Sequence, residues 1–174
     1  MNMLWKLSAV TLLAVGLAAC QGSKEPTLSS AQGHVTGMAS ELHQVSNERL
    51  PPVVTYRSPT CGCCELWVEH MRAAGFEVDV KTVSDMGAVK TEAGVPVGGG
   101  SCHTAHVGDY FVEGHVPASD IKRLLAERPD AKGLTVPGMV AGSPGMEQGG
   151  ITQPYDVLLV AKDGTTTVFA HHGD

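Results

Sequence analysis

Val53-Val54-Thr55-Tyr56-Arg57-Ser58-Pro59-Thr60-Cys61-Gly62-Cys63-Cys64-Glu65-Leu66-Trp67-Val68, continuing through Gly75-Phe76-Glu77-Val78-Asp79-Val80-Lys81, is the stretch that decides the fold. Val53 to Tyr56 is a short β-branched and aromatic run suited to a buried strand, and Arg57-Ser58-Pro59-Thr60 breaks it. Cys64, Trp67, Val68, Met71 and Ala74 then recur at helical spacing, with Glu65, Glu69 and Arg72 mostly on the other side, and Gly75 supplies a stop. Phe76, Val78 and Val80 alternate with Glu77, Asp79 and Lys81, the period of a half-buried strand. The pattern predicts a β-α-β unit with cysteines at the N-terminus of its helix.

That placement has chemical consequences. Unpaired backbone N–H groups and the helix dipole stabilise negative charge, so thiols there become thiolates nearer neutral pH. Cys61 and Cys64 are three apart and share a face, whereas Cys63 points about 100° away if helical geometry already holds at that point. One ion does not easily use all three in a relaxed tetrahedron; several ions bridged by shared sulfurs do. A fourth thiol, Cys102, lies far down the chain in Ser101-Cys102-His103-Thr104-Ala105.

Cu(I) is soft and accepts thiolate, thioether and imidazole, so Cys61, Cys63, Cys64 and Cys102 are the first candidate ligands. His103 follows Cys102 directly and either completes such a site or orients a ligand. Met139 and Met146 fall in Gly- and Pro-rich loop sequence with no helical stripe to explain burying them, which makes them candidate thioether ligands. Met71 and Trp67 belong on the apolar helix face. His70, two turns into the helix, is expected to take a surface or supporting role, His106 to make an ordinary hydrogen bond, and His115 stands open between structural and functional roles. His171 and His172 read as a solvated tail.

Two structural disulfides are the competing account of four cysteines. Adjacent Cys63 and Cys64 are awkward disulfide partners, and a core of this size needs no staples. A thiol-disulfide oxidoreductase using Cys61 as nucleophile and Cys64 as resolving thiol leaves Cys63 and Cys102 unexplained. A zinc module is disfavoured because the spacing lacks two separated pairs.

The rest of the chain frames one domain. Lys6, an apolar run from Leu7 to Leu17 and the small residues before Cys20 read as a signal peptide over residues 1–19, too short to span the roughly 30 Å hydrocarbon core. Leu17-Ala18-Ala19-Cys20 resembles the bacterial lipobox, which implies acylation of Cys20, a periplasmic protein and a membrane anchor; Gln21 in place of Asp points to the outer membrane. The leader's one charged side chain is Lys6, so its removal takes the net charge from -6 to -7. That argues against nucleic acid, whose phosphates demand basic patches. Residues 20–52 are poor in large apolar side chains and read as a lipidated N-terminus and flexible tether, with His34, Met38 and His43 as solvated linker residues.

Residues 53–174 form the expected domain. It contains a short helix over Ser84 to Lys90, a hairpin around Gly108-Asp109 and a helix capped by Ala118-Ser119-Asp120. In that helix Ile121, Leu124 and Leu125 face inward before Arg128-Pro129 ends it. A last hairpin turns at Asp163-Gly164.

The strand, the CxxC-type helix start and the second strand resemble thioredoxin-like proteins. A longer match extends across the domain. Cys61-Gly62-Cys63-Cys64 with Trp67 and His70, Ser101 to Ala105, Glu113-Gly114-His115-Val116-Pro117, Pro137-Gly138-Met139 and Gly142-Ser143-Pro144-Gly145-Met146-Glu147 closely resemble the CopG family of bacterial periplasmic copper-resistance proteins. Val140 stands where that family's Pro-Gly-Met-Pro stretch has proline. The resemblance implies a single α/β, thioredoxin-like domain with a central mixed sheet and an inserted or appended hairpin. It also implies a cysteine-bridged cluster of more than one copper ion, mainly Cu(I). Redox turnover and exchange with other periplasmic copper-handling proteins are open on this reading.

Overall fold

A computed structural model describes residues 49–147 and 149–173. The leader, Cys20 and its lipobox, His34, Met38 and His43 lie outside the described residues. No helix among the described residues is long and apolar enough to cross a membrane.

The elements run β1 (Val53–Arg57), α1 (Gly62–Ala73), β2 (Val78–Thr82), α2 (Met86–Ala93), β3 (His103–Val107), β4 (Tyr110–Glu113), α3 (Ala118–Glu127), β5 (Ala131–Thr135), β6 (Tyr155–Ala161) and β7 (Thr166–His172). The strands form one mixed seven-stranded sheet in the order β2-β1-β3-β4-β5-β6-β7. The β-α-β unit is present, with β1 and β2 parallel and in register from Val53↔Val78 to Arg57↔Thr82. β3 returns antiparallel on the other side of β1 and pairs His103 with Arg57. The expected last hairpin is β6–β7, appended at the sheet edge; its turn is fixed by Thr165 N donating to Asp163 Oδ1 at 2.9 Å.

α1 buries Cys64, Trp67, Val68 and Met71, the face its spacing predicts. Trp67, Val68 and Met71 pack in one core with Ile121 and Leu124 of α3 and with Ala105, Val112 and Leu134 of the sheet. Each large apolar side chain removed from water contributes roughly 1.5–3 kcal/mol. Trp67 Nε1 also donates to Val116 O at 2.9 Å, which pins α1 to the turn after β4.

Two expectations need correcting. α3 starts after Pro117, and no side chain of its own caps it. Its Ala118 N–H instead donates to His70 Nε2 at 3.0 Å, which gives His70 the supporting role of the two open to it. Asp120 is drawn away to His172 Nε2 at 2.6 Å, so His172 is no solvated tail residue. His171 also belongs to β7, with its Nδ1 2.5 Å from Asp156 Oδ1, but its side chain is exposed as expected. Residues 131–135, to which no element is assigned above, form β5 parallel to β4. Gly133 explains both facts: a Cβ there would lie 2.0 Å from Phe111 O, so the close approach of β4 requires the residue that most weakens a strand pattern.

Candidate metal centre

The end of β1 delivers the chain into Cys61, the N-cap of α1. Its backbone is extended (φ −84°, ψ 95°), and it makes no side-chain capping bond. The helical geometry assumed for Cys63 relative to Cys61 therefore does not hold, and their sulfurs approach to 3.5 Å instead of diverging. Cys64, fully buried one residue on, is joined to Cys61 by a disulfide with Cα atoms 5.5 Å apart. The account by two structural disulfides is not met: one is present among these four cysteines, between the pair that the oxidoreductase reading names. Cys63 and Cys102 are free thiols, with their sulfurs 3.8 Å apart.

Cys102 is brought against Cys63, 39 positions upstream, because β3 pairs with β1 and sets His103 opposite Arg57. All four sulfurs lie within 4.8 Å of one another. Burial first, and the neighbouring Cys63 second, push the Cys102 thiol up to about 12. In the metal-free protein it holds its proton, and a bound metal would have to displace it.

Two imidazoles extend the cluster. His103 Nδ1 lies 3.3 Å and His115 Nε2 3.0 Å from Cys102 Sγ. Both histidines are fully buried. Burial holds His115 below its ordinary pKa, and burial together with the His115 and Lys90 charges holds His103 well below. Both are neutral near pH 7, the form that ligates. His115 Nδ1 is 2.8 Å from Pro144 O. A carbonyl only accepts, so Nδ1 carries the hydrogen and Nε2 turns its lone pair toward Cys102, the usual way a protein orients a ligating histidine. His103 Nε2 is buried without a hydrogen bond, and the His103 ring stacks obliquely on Trp67 at 4.4 Å. Sequence leaves His115 open between structural and functional roles, because what the ring faces is set by packing against Cys102 and Pro144. His106, in β3, lies edge-on to Tyr56 with ring centroids 6.0 Å apart.

The loop carrying Met139 and Met146 closes over this centre. Gly138 N donates to Gly100 O at 3.0 Å, and Ser101 Oγ donates to Gly138 O. At the other end Gly145 packs so tightly on α1 that an added Cβ would lie 2.7 Å from Trp67 N and 3.0 Å from Cys63 O. Met146, half-buried, follows it directly, while Met139 is 57% exposed. A separate cleft of about 860 Å³ beside Leu50, Tyr110, Leu125 and Lys162 has no cysteine, histidine or methionine in its wall. Four sulfurs with flanking neutral imidazoles form a donor set compatible with copper.

Comparison with known proteins gives the same direction. The family described as a protein of unknown function, DUF411, matches residues 99–146. No curated protein matches the chain. Two solved structures of copper resistance protein CopG are similar to it. Form 2 is 44% identical, covers 71% of this chain and 99% of its own, and has a TM-score of 0.69. Form 1 is 44% identical, covers 72% and 99%, and has a TM-score of 0.68. With that identity spread over nearly all of both relatives, and with the cysteines and histidines of its motifs gathered at one end of the sheet, this chain belongs to the CopG family.

Proposed function

We propose that this protein serves copper resistance by holding more than one Cu(I) ion at a centre bridged by Cys61, Cys63, Cys64 and Cys102, with His115 and His103 at its inner side. The observation that carries the reading is the mutual approach of four sulfurs to within 4.8 Å, too crowded to be independent sites. Sulfur-rich, low-coordination sites suit Cu(I) above harder ions. The order β2-β1-β3-β4, with the cysteine pair at the start of α1, supports a thioredoxin-like kinship.

The Cys61–Cys64 disulfide adds a redox element, since the four thiolates exist together only after it has taken up two electrons. Copper capacity therefore follows thiol state. Reduced, oxygen-free protein should bind more than one copper per chain with four titratable thiols in the domain, and the oxidised form should bind fewer. One copper or none in the reduced protein overturns the cluster. The disulfide also favours the second reading, a thiol-disulfide oxidoreductase; disulfide reductase activity that needs Cys61 and Cys64 but not Cys63 or Cys102 would select it. The anchor at Cys20 and a periplasmic setting complete the proposal on the strength of Leu17-Ala18-Ala19-Cys20. Intact mass of the membrane-derived protein tests them, and an unmodified mature chain rejects the anchor.

Met139 and Met146 enter as thioether ligands. Met139→Leu and Met146→Leu nearly conserve volume and should cost less than about 1.5 kcal/mol of stability. At least one should lower Cu(I) affinity in competition with a chelator while the thiolates stay occupied. Unchanged affinity in both would return the pair to loop packing.

A further inference from the structure

Glu113, at the end of β4, is a fully buried carboxylate that no step of copper binding requires. An unpaired charge there would be costly, and even a paired one rarely stabilises a fold by itself. Its partners explain its presence. Oε1 accepts from Lys90 Nζ and from Ser101 N, each at 2.5 Å, and Oε2 accepts from Thr104 Oγ1 at 2.6 Å. Lys90 Nζ closes the ring by donating to Thr104 Oγ1 at 3.2 Å. Ser101 and Thr104 bracket Cys102 and His103. The same stretch is held once more by Gly114 N donating to His103 O at 3.0 Å. Gly114 sits at φ +74°, where a Cβ would lie 2.6 Å from Ser101 Oγ, so the bend after Glu113 is shaped to let this segment approach.

From this arrangement we infer that Glu113, with Lys90 as its counter-ion, is a positioning residue: its carboxylate clamps both ends of the Ser101-Thr104 segment and so fixes Cys102 against Cys63 and His115. A carboxylate suits the task because it only accepts, and three donors converge on it. An amide of the same shape must turn its NH₂ toward one of those donors, and it leaves the Lys90 ammonium without an opposing charge. The inference goes beyond the copper reading and concerns the metal-free protein as much as the loaded one.

The test compares Glu113→Gln and Thr104→Val with Val160→Ala, which removes buried volume from β6 and touches none of these groups. In metal-free protein with the Cys61–Cys64 disulfide intact, Cys63 and Cys102 are the two free thiols of the described residues. Iodoacetamide labelling followed by peptide mapping reads them separately. Labelling of Cys102 should rise at least tenfold in Glu113→Gln and about threefold in Thr104→Val, with Cys63 changed less than twofold and both thiols near wild type in Val160→Ala. Reduced Glu113→Gln should also lose at least tenfold in Cu(I) affinity against a chelator. Equal rises at Cys63 and Cys102, or the same rise in Val160→Ala, would show general loosening and overturn the clamp; an unchanged Cys102 rate would overturn it as well. Wild-type protein that bound no copper would refute the proposed function, and the labelling result would still decide the clamp.

Discussion

Cys102→Ser should remove more than half of the bound copper while leaving the domain folded. Cys102 is the one sulfur common to both donor groups, 3.8 Å from Cys63 Sγ and 3.0 Å from His115 Nε2. Its loss disconnects the helix thiols from the imidazoles. A serine hydroxyl keeps the size and hydrogen-bonding ability of the group but is a poor ligand for a soft ion. Cys61→Ser, Cys63→Ser and Cys64→Ser should each remove more than one quarter, because a bridging sulfur serves more than one ion. Copper per chain by elemental analysis, with melting temperature in parallel, checks the series. A loss of one quarter from each variant alike would mean four independent sites and would end the bridged-cluster reading.

Gly145→Ala should be among the most damaging substitutions that remove no proposed ligand, at about 2–4 kcal/mol. Part of that is the left-handed backbone at φ +83°, which costs a residue with a Cβ roughly 1–2 kcal/mol. The larger part is steric. The atoms the new methyl meets, Trp67 N, Cys63 O and Leu66 C, all belong to the backbone of α1 and cannot swing aside. Overpacking of this kind typically costs about 1–3 kcal/mol. If the loop lifts to relieve it, Pro144 O leaves His115 Nδ1 and the imidazole loses its fixed orientation. Gly164→Ala is the control, because φ is +89° there and nothing lies within 4 Å of the added carbon. Denaturant unfolding should place Gly145→Ala well below Gly164→Ala; equal losses would show that the contact with α1 is soft.

Much of this molecule is readable along the chain wherever the information is local. The alternation in 76–81, the apolar face of α1 and the Asp163-Gly164 turn depend on neighbours within a few residues, and they appear where the pattern puts them. The failures share a cause. β5 is hidden by Gly133, whose missing side chain is demanded by Phe111 across the sheet. The start of α3 is satisfied by His70 from another helix, so no local cap was needed and the expected one was unreal. Cys63 was misdirected because one residue, Cys61, is extended where helix was assumed. The candidate site divides the same way: three cysteines announce themselves by adjacency, while the facing of Cys102, His103 and His115 is a product of strand pairing. Family resemblance supplied what spacing could not, the suspicion that those distant motifs meet.

The antiparallel pairing of β1 with β3 also makes the centre a reporter of the native state. Cys61, Cys63 and Cys64 stay near one another in any conformation, but Cys102 reaches them across 39 residues only when β3 lies beside β1. An unfolded chain would have to close that loop against its own entropy before offering a fourth sulfur or either imidazole. Any ion held by the complete set therefore binds the folded chain in preference to the unfolded one, and mass action converts its concentration into resistance to unfolding. Metal-loaded molecules would outlast empty ones wherever unfolded chains are destroyed, so the cargo would select the carriers that survive.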